Sequence, residues 1–240
     1  MNQNIETLIN EIKNIIGNRF LSAVLYGSYV DKSNTKSSDI NIIVVIEQLT
    51  AVDLKNLNPV MKKWQKSNKS IPIFIGKTEW FASSDVYPME YADIKDRYSI
   101  LYGDDIVSEL KIDKCHIRLQ CESEIKNLLI RLRQSYVQNS FDKKIISELI
   151  LNSSKSLIAI LKAVLRLVSD EKITNDKYQI INEVSPLIGL DAEFFTKILK
   201  FRDNKKIFSS NDYELIIQKL IDSIYDVLKY VDKINTCKEV

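Results

Sequence analysis

Apolar residues change their period once along this chain, near residue 111, and that change sets the expected architecture. Ile5, Leu8, Ile9, Ile12, Ile15 and Ile16 recur at helical spacing, which predicts an opening amphipathic helix ended by Gly17-Asn18. The short apolar run FLSAVLY at 20–26 predicts a buried strand, and Gly27-Ser28 predicts a tight turn after it. The polar stretch 31–38 reads as a loop. Residues 39–46, DINIIVVI, are mostly β-branched and predict a second strand. A helix follows over 49–64, with Asn58-Pro59 a candidate kink or break. Residues 71–75 predict a third strand, which Pro72 assigns to an edge or a strand start. Thr78 is a candidate cap for a short helix through Phe81, and 99–102 predict a fourth strand closed by Gly103-Asp104-Asp105.

Past residue 111 the period stays helical. Ile117, Cys121, Ile125, Leu128, Leu129 and Leu132 form one stripe. Residues 145–168 are apolar around much of the helix, so they predict a central buried one. Phe194, Phe195, Ile198 and Leu199 mark a shorter helix, and 213–231 a last long one. The expected fold is therefore α+β: a mixed sheet with flanking helices over 1–110, then a helical bundle over 111–240.

Composition narrows this little. The chain has 240 residues, 45% hydrophobic and 28% charged, with a formal net charge of +2, ordinary values for a soluble globular protein. Such a small net charge demands neither nucleic acid nor an acidic membrane surface as partner. Three cysteines without paired spacing argue against disulfides and against a zinc site. The polar N-terminus is unlike a signal peptide, and the apolar runs are too short for a membrane span, so a cytoplasmic protein is expected.

Candidate chemistry gathers in one place. Ten residues separate Gly27-Ser28 from Asp39, at the expected start of the next strand, with Asn41 two positions on. Alternation along a strand would turn Asp39 and Asn41 to one side. A glycine lets backbone approach a ligand closely, and a serine in a turn offers a hydroxyl and an N–H to phosphate. Together these parts suit a nucleoside triphosphate and Mg²⁺. Elsewhere the bland readings lead. His116 is best read as a surface or capping residue. Arg118, Lys126, Arg131, Arg133 and Lys143-Lys144 read as a solvated helix face, with Glu122 one turn from Lys126. Lys155 and Lys162 lie on the most apolar helix and must emerge somewhere polar. Trp64, Trp80, Phe81 and Phe194 read as core.

The stretch LYGSYVDKSNTKSSDINIIVV resembles the DNA polymerase β-like nucleotidyltransferase superfamily, whose signature is Gly-Ser, a spacer of this length and Asp-x-Asp on the next strand. Aminoglycoside adenylyltransferases and minimal nucleotidyltransferases share it. The resemblance implies that Gly27 and Ser28 hold the triphosphate and that Asp39, with Asn41 in the second acidic place, holds Mg²⁺. An amide oxygen ligates Mg²⁺ but neither neutralises its charge nor accepts a proton. The family's third carboxylate sits on the following strand. Residues 71–75 contain no acid, so Glu90 and Asp93 in YPMEYADIKD are the nearest substitutes as metal ligands. The implied activity is Mg²⁺-dependent transfer of a nucleoside monophosphate from an NTP, ATP by preference, to a hydroxyl of a small molecule or a protein. The alternative is a catalytically degenerate protein of that fold, binding nucleotide or serving as an antitoxin-like interaction module.

Overall fold

The computed structural model describes residues 3–30, 39–169, 171–203 and 213–235. The expected loop 31–38 and Cys237 lie outside the described residues. The chain divides into two compact units, Met1–Ile112 and Asp113–Val240.

In the first unit, helix α1 (Gln3–Ile16) leads through a short 3-10 turn into β1 (Phe20–Tyr26). Strand β2 (Asn41–Ile46), helix α2 (Ala51–Trp64), strand β3 (Ile73–Gly76), helices α3 (Lys77–Ala82) and α4 (Pro88–Asp96), and strand β4 (Tyr98–Gly103) follow. The sheet runs β3-β2-β1-β4. β1 is antiparallel to both β2 and β4, whereas β2 and β3 are parallel, so the sheet is mixed. The fold is α+β, as the switch of period implies.

The two sheet faces bury different partners. Leu25, Ile42, Val44 and Ile46 pack with Ile5, Leu8 and Ile12 of α1 and with Leu57 and Trp64 of α2. Val24, Ile43 and Val45 face the other way, against Trp80 of α3 and Tyr91 and Ile94 of α4. A register shift between Phe20 and Ser22 lets Phe20 join the same face as Ala23 and Leu25, against simple alternation.

Local signals explain most boundaries. Thr50 and Asp53 form a reciprocal capping box at the start of α2. Arg19 clamps the same carboxylate from two sides, Nη1 to Oδ2 at 2.9 Å and Nη2 to Oδ1 at 2.6 Å, while Nη1 also donates to the Gln48 carbonyl. Pro59 lies inside α2 without ending it. β3 is an edge strand with Pro72 just before it, so the missing N–H falls outside the ladder. The cap expected for α3 needs correction. The N-cap of α3 is Gly76, and Thr78 falls inside the first turn. The sequence reading also passed over α4, which opens on Pro88 at its first position and buries Tyr91, Ala92 and Ile94.

The second unit is helical: α5 (Lys114–Asn139), α6 (Lys143–Val168), α7 (Lys177–Ile188), α8 (Ala192–Asp203) and α9 (Tyr213–Lys233). Asp113, Asp142 and Asp176 cap α5, α6 and α7 through backbone N–H groups. α6 packs against the other four helices, which gives it the central place its composition predicts. Lys162 is buried on it and reaches Asn175 Oδ1 at 2.6 Å, whereas Lys155 is exposed. α7 was not anticipated; it contains Pro186 and stops at Gly189, whose φ of 85° is left-handed. Cys121 is buried, and burial pushes its thiol up to about 12. Cys115 is disulfide-bonded, which corrects the expectation drawn from cysteine spacing; spacing along the chain does not report proximity in space. No helix among the described residues is long and apolar enough to cross a membrane.

The Asp53 clamp is testable. Hydrogen bonds from Arg19 and then from Thr50 hold this carboxyl well below the usual carboxylate range, against the opposing effect of burial. Its stabilisation is therefore present above the unfolded aspartate value near 4 and lost as pH falls. Both tryptophans, Trp64 and Trp80, lie in the first unit, so their emission follows its unfolding alone. In urea at pH 7, Asp53→Asn should cost about 1–2 kcal/mol. The gap to wild type should close as pH drops from about 5 to about 2; a gap constant with pH would contradict the clamp.

Candidate active site

The site starts where β1 ends. Tyr26 pairs with Asn41 at the start of β2 and with Tyr98 at the start of β4, and the Gly27 N–H donates to the Arg97 carbonyl at 3.2 Å. Three strand ends thus meet at one glycine. Gly27 has φ +77°, a conformation that a side chain makes costly. A Cβ placed there would also come within 3.3 Å of Asn41 Nδ2, so the Asn41 amide packs directly over the glycine. Ser28 follows in a 3-10 turn, Gly27–Val30, and is exposed.

Asp39 needs a correction. β2 begins at Asn41, and the ladder stops at the Tyr26–Asn41 pair. Asp39 is exposed and stands two residues outside the strand, so alternation ties Asn41 to Ile43 and Val45 but not to Asp39. The missing ladder partner is the physical reason: β1 has already turned at Gly27 and offers nothing for residues 39 and 40 to pair with.

On the face that carries Ile43 lies a pocket of about 480 Å³. Tyr26 and Gly27 line it from β1, Ile73 and Ile75 from β3, Glu79 and Trp80 from α3, and Glu90 and Asp93 from α4. The structure therefore brings Glu90 and Asp93 together with Gly27. It does not set Asp39, Asn41 or Ser28 in the pocket wall. Gly27 is shared: it touches the Asn41 amide and also lines the acid-rimmed pocket, on the face that Asn41 shares with Ile43. Glu79 is nearer to β3 in sequence than Glu90 and Asp93, the acids expected there, and no local pattern marks it. Glu79 lies in the first turn of α3, three residues beyond the end of β3.

The aromatic floor is fixed by its own hydrogen bonds. Trp80 stacks on Tyr91 with ring centroids 4.6 Å apart and donates its Nε1–H to the Ile106 carbonyl at 3.2 Å. The Tyr91 hydroxyl donates to the Trp80 carbonyl at 2.9 Å. Burial is the main cause that pushes the Tyr91 phenol up to about 12, and burial raises Tyr26 as well. Both stay neutral at pH 7 and act as walls. The basic residues of α5 are engaged on the helix surface: Glu122 pairs with Arg118 and Lys126, and Arg131 lies 3.8 Å from Glu124. His116 is half-buried in the first turn of α5, whose cap is Asp113.

The donors do not fit a magnesium ion held by protein alone. Mg²⁺ favours several anionic oxygens in octahedral array, and among the described residues no three His, Cys, Asp or Glu side chains converge on a metal position. The Asn41 amide, which lies against Gly27, brings no formal charge.

No protein-family model and no curated protein sequence match the chain. A solved structure does: spectinomycin adenyltransferase AAD(9) from Enterococcus faecialis, crystallised with ATP and spectinomycin, aligns with a TM-score of 0.53 over 92% of this chain and 99% of that one. The chain has the nucleotidyltransferase fold. Sequence identity is 16%, so the likeness establishes the fold and carries no residue roles across.

The Gly27–Asn41 contact makes its own prediction. Gly27→Ala should cost about 1–2 kcal/mol for the left-handed φ alone, plus the crowding against Asn41. In urea unfolding, Asn41→Ala should recover the crowding part only, giving a coupling between the two sites. Strict additivity would mean that the amide does not pack over the glycine.

Proposed function

We propose that this chain is a nucleotidyltransferase that moves a nucleoside monophosphate, AMP by preference, from its triphosphate to a hydroxyl of a small molecule. The observation that carries this reading is the left-handed Gly27, which lies against the Asn41 amide and lines a pocket with three carboxylates, on a nucleotidyltransferase fold. The Gly27 N–H is already taken by Arg97, so the turn offers the triphosphate its next N–H and the Ser28 hydroxyl. Glu79, Glu90 and Asp93 repel an anionic triphosphate, which keeps the phosphates at the Gly27-Ser28 turn and leaves the pocket to the acceptor. There a carboxylate takes the proton of the acceptor hydroxyl. The oxygen bonds to the α-phosphorus, the bond from that phosphorus to the bridging oxygen breaks, and pyrophosphate leaves. Magnesium belongs to this reading as part of the donor, the Mg·ATP complex.

Asn41 favours a second reading, in which the chain binds nucleotide without transferring it. An amide in the second acidic place and, among the described residues, the lack of a converging three-donor group both lower the negative charge available for catalysis. One experiment separates the two: incubate the protein with Mg²⁺ and α-labelled ATP, using spectinomycin, the ligand of the structural neighbour, and a cell extract as acceptors. The transferase reading expects labelled product and pyrophosphate. Asn41→Asp should raise the rate about tenfold, the equivalent of about 1.4 kcal/mol for one charge-assisted contact. Asp39→Asn should abolish transfer, because in this reading Asp39 would meet the Mg²⁺ that the triphosphate brings, the role the resemblance implies for it. ATP binding without labelled product in either wild type or Asn41→Asp would favour the second reading, and no ATP binding at all would end both.

A further inference from the structure

The pocket beside Gly27 has an apolar interior in which one polar group is left to a ligand. Its floor is Ile43, Trp80, Tyr91 and Ile94, all buried, and Ile75 and the half-exposed Ile73 extend it. The polar handles of that floor are spent internally. The Trp80 N–H is given to the Ile106 carbonyl, the Tyr91 hydroxyl to the Trp80 carbonyl, and the Ser83 hydroxyl to the Glu79 carbonyl. What remains is ring and alkyl surface. A polyhydroxylated ligand seated on it would lose its water without regaining hydrogen bonds, which is costly for each group. The lining acids Glu79, Glu90 and Asp93 are exposed, so they stay hydrated and leave the interior apolar. Tyr26 is the exception among the polar groups. It lines the cavity one residue before Gly27, and no described residue hydrogen-bonds its hydroxyl. A phenol both donates and accepts, so it suits a single hydroxyl on a bound molecule.

We infer that this pocket takes an apolar-bodied alcohol, an aryl or alkyl group carrying one hydroxyl, and that the acceptor of the proposed reaction belongs to this class rather than to polyhydroxylated compounds. The inference rests on the transferase reading only for the word acceptor; the binding preference follows from the lining. The cavity of about 480 Å³ is in the range of small-molecule sites. Burying an apolar body on the isoleucine and tryptophan floor supplies the affinity. The Tyr26 hydroxyl supplies the one polar contact and holds the ligand's hydroxyl at the Gly27 end of the cavity. From there the ligand's oxygen bonds to the α-phosphorus of a triphosphate held at the Gly27-Ser28 turn, its proton passes to a lining carboxylate, and pyrophosphate leaves.

Calorimetry and tryptophan emission test this, since Trp80 lines the pocket and reports its occupation. The probe is 4-phenylbutan-1-ol, with 1-chloro-4-phenylbutane as the analogue lacking the hydroxyl, and erythritol and spectinomycin as polyhydroxylated comparators. The alcohol should bind saturably, change the emission, and bind about tenfold tighter than either comparator. Ile73→Ser, at a half-exposed position of an edge strand, should weaken alcohol and chloride alike, about threefold. Tyr26→Phe should weaken the alcohol about threefold and leave the chloride unchanged. Circular dichroism confirms that both variants are folded. A comparator binding as tightly as the alcohol, no saturable binding of the alcohol, unchanged alcohol affinity in Ile73→Ser, or equal losses of alcohol and chloride in Tyr26→Phe would overturn the inference. With Mg²⁺ and α-labelled ATP the alcohol should acquire labelled AMP. Absent transfer with the binding order intact would retire the transferase reading alone. Transfer to spectinomycin by an enzyme that does not bind the alcohol would retire this inference alone.

Discussion

The antiparallel register of β1 on β2 is the constraint on which the site depends. Tyr26 pairs with Asn41 as the last rung of the ladder, and the next residue of β1 is a glycine with left-handed φ. That rung puts the Asn41 amide over Gly27. It also ends the strand before Asp39, and it turns Ile43 and Val45 toward the pocket face. A slip of one residue would exchange the two faces of β2 and send Asn41 toward α1 and α2. The register is held by burial on both faces, since Ile42 to Ile46 are buried against α1 and α2 on one side and against α3 and α4 on the other. The candidate site at the strand ends is therefore paired with stability in the strand centres.

The two faces of the sheet do different work. One is sealed by α1 and α2, and the Arg19–Asp53–Thr50 network pins the start of α2. The other is covered by two short helices, six and nine residues long, which leave a cavity between them and the strands. That cavity opens beside the glycine and carries acid at its rim. In the transferase reading those carboxylates disfavour a triphosphate in the pocket and leave it to the acceptor.

Sequence periodicity carried the fold further than it carried the site. Strand β1 was legible to the residue because FLSAVLY is apolar and bounded by Asn18 and Gly27, and α6 because its apolar positions encircle the helix. α4 and α7 escaped for a physical reason: α4 is short with a mixed pattern, and both contain proline, which in sequence marks breaks as often as starts. At the site, Gly27, Glu90 and Asp93 were legible and do come together. Asp39 was assigned to a strand because Asp-x-Asn continues the β-branched pattern, yet pairing needs a partner, and β1 has none left there. Glu79 was hidden because its place depends on α3 folding back across the sheet face, which no local pattern reports.

The central claim is that the strand end at Gly27 receives the nucleotide. Its most direct test is an NMR titration of the assigned protein with Mg²⁺ and a non-hydrolysable ATP analogue. The account predicts saturable shifts of the Gly27 and Ser28 amides and of the Asn41 side-chain NH₂, with the rim residues Glu79, Glu90 and Asp93 little affected. Shifts confined to the lysines and arginines of α5 and α6, with Gly27, Ser28 and Asn41 unmoved at saturation, would contradict it.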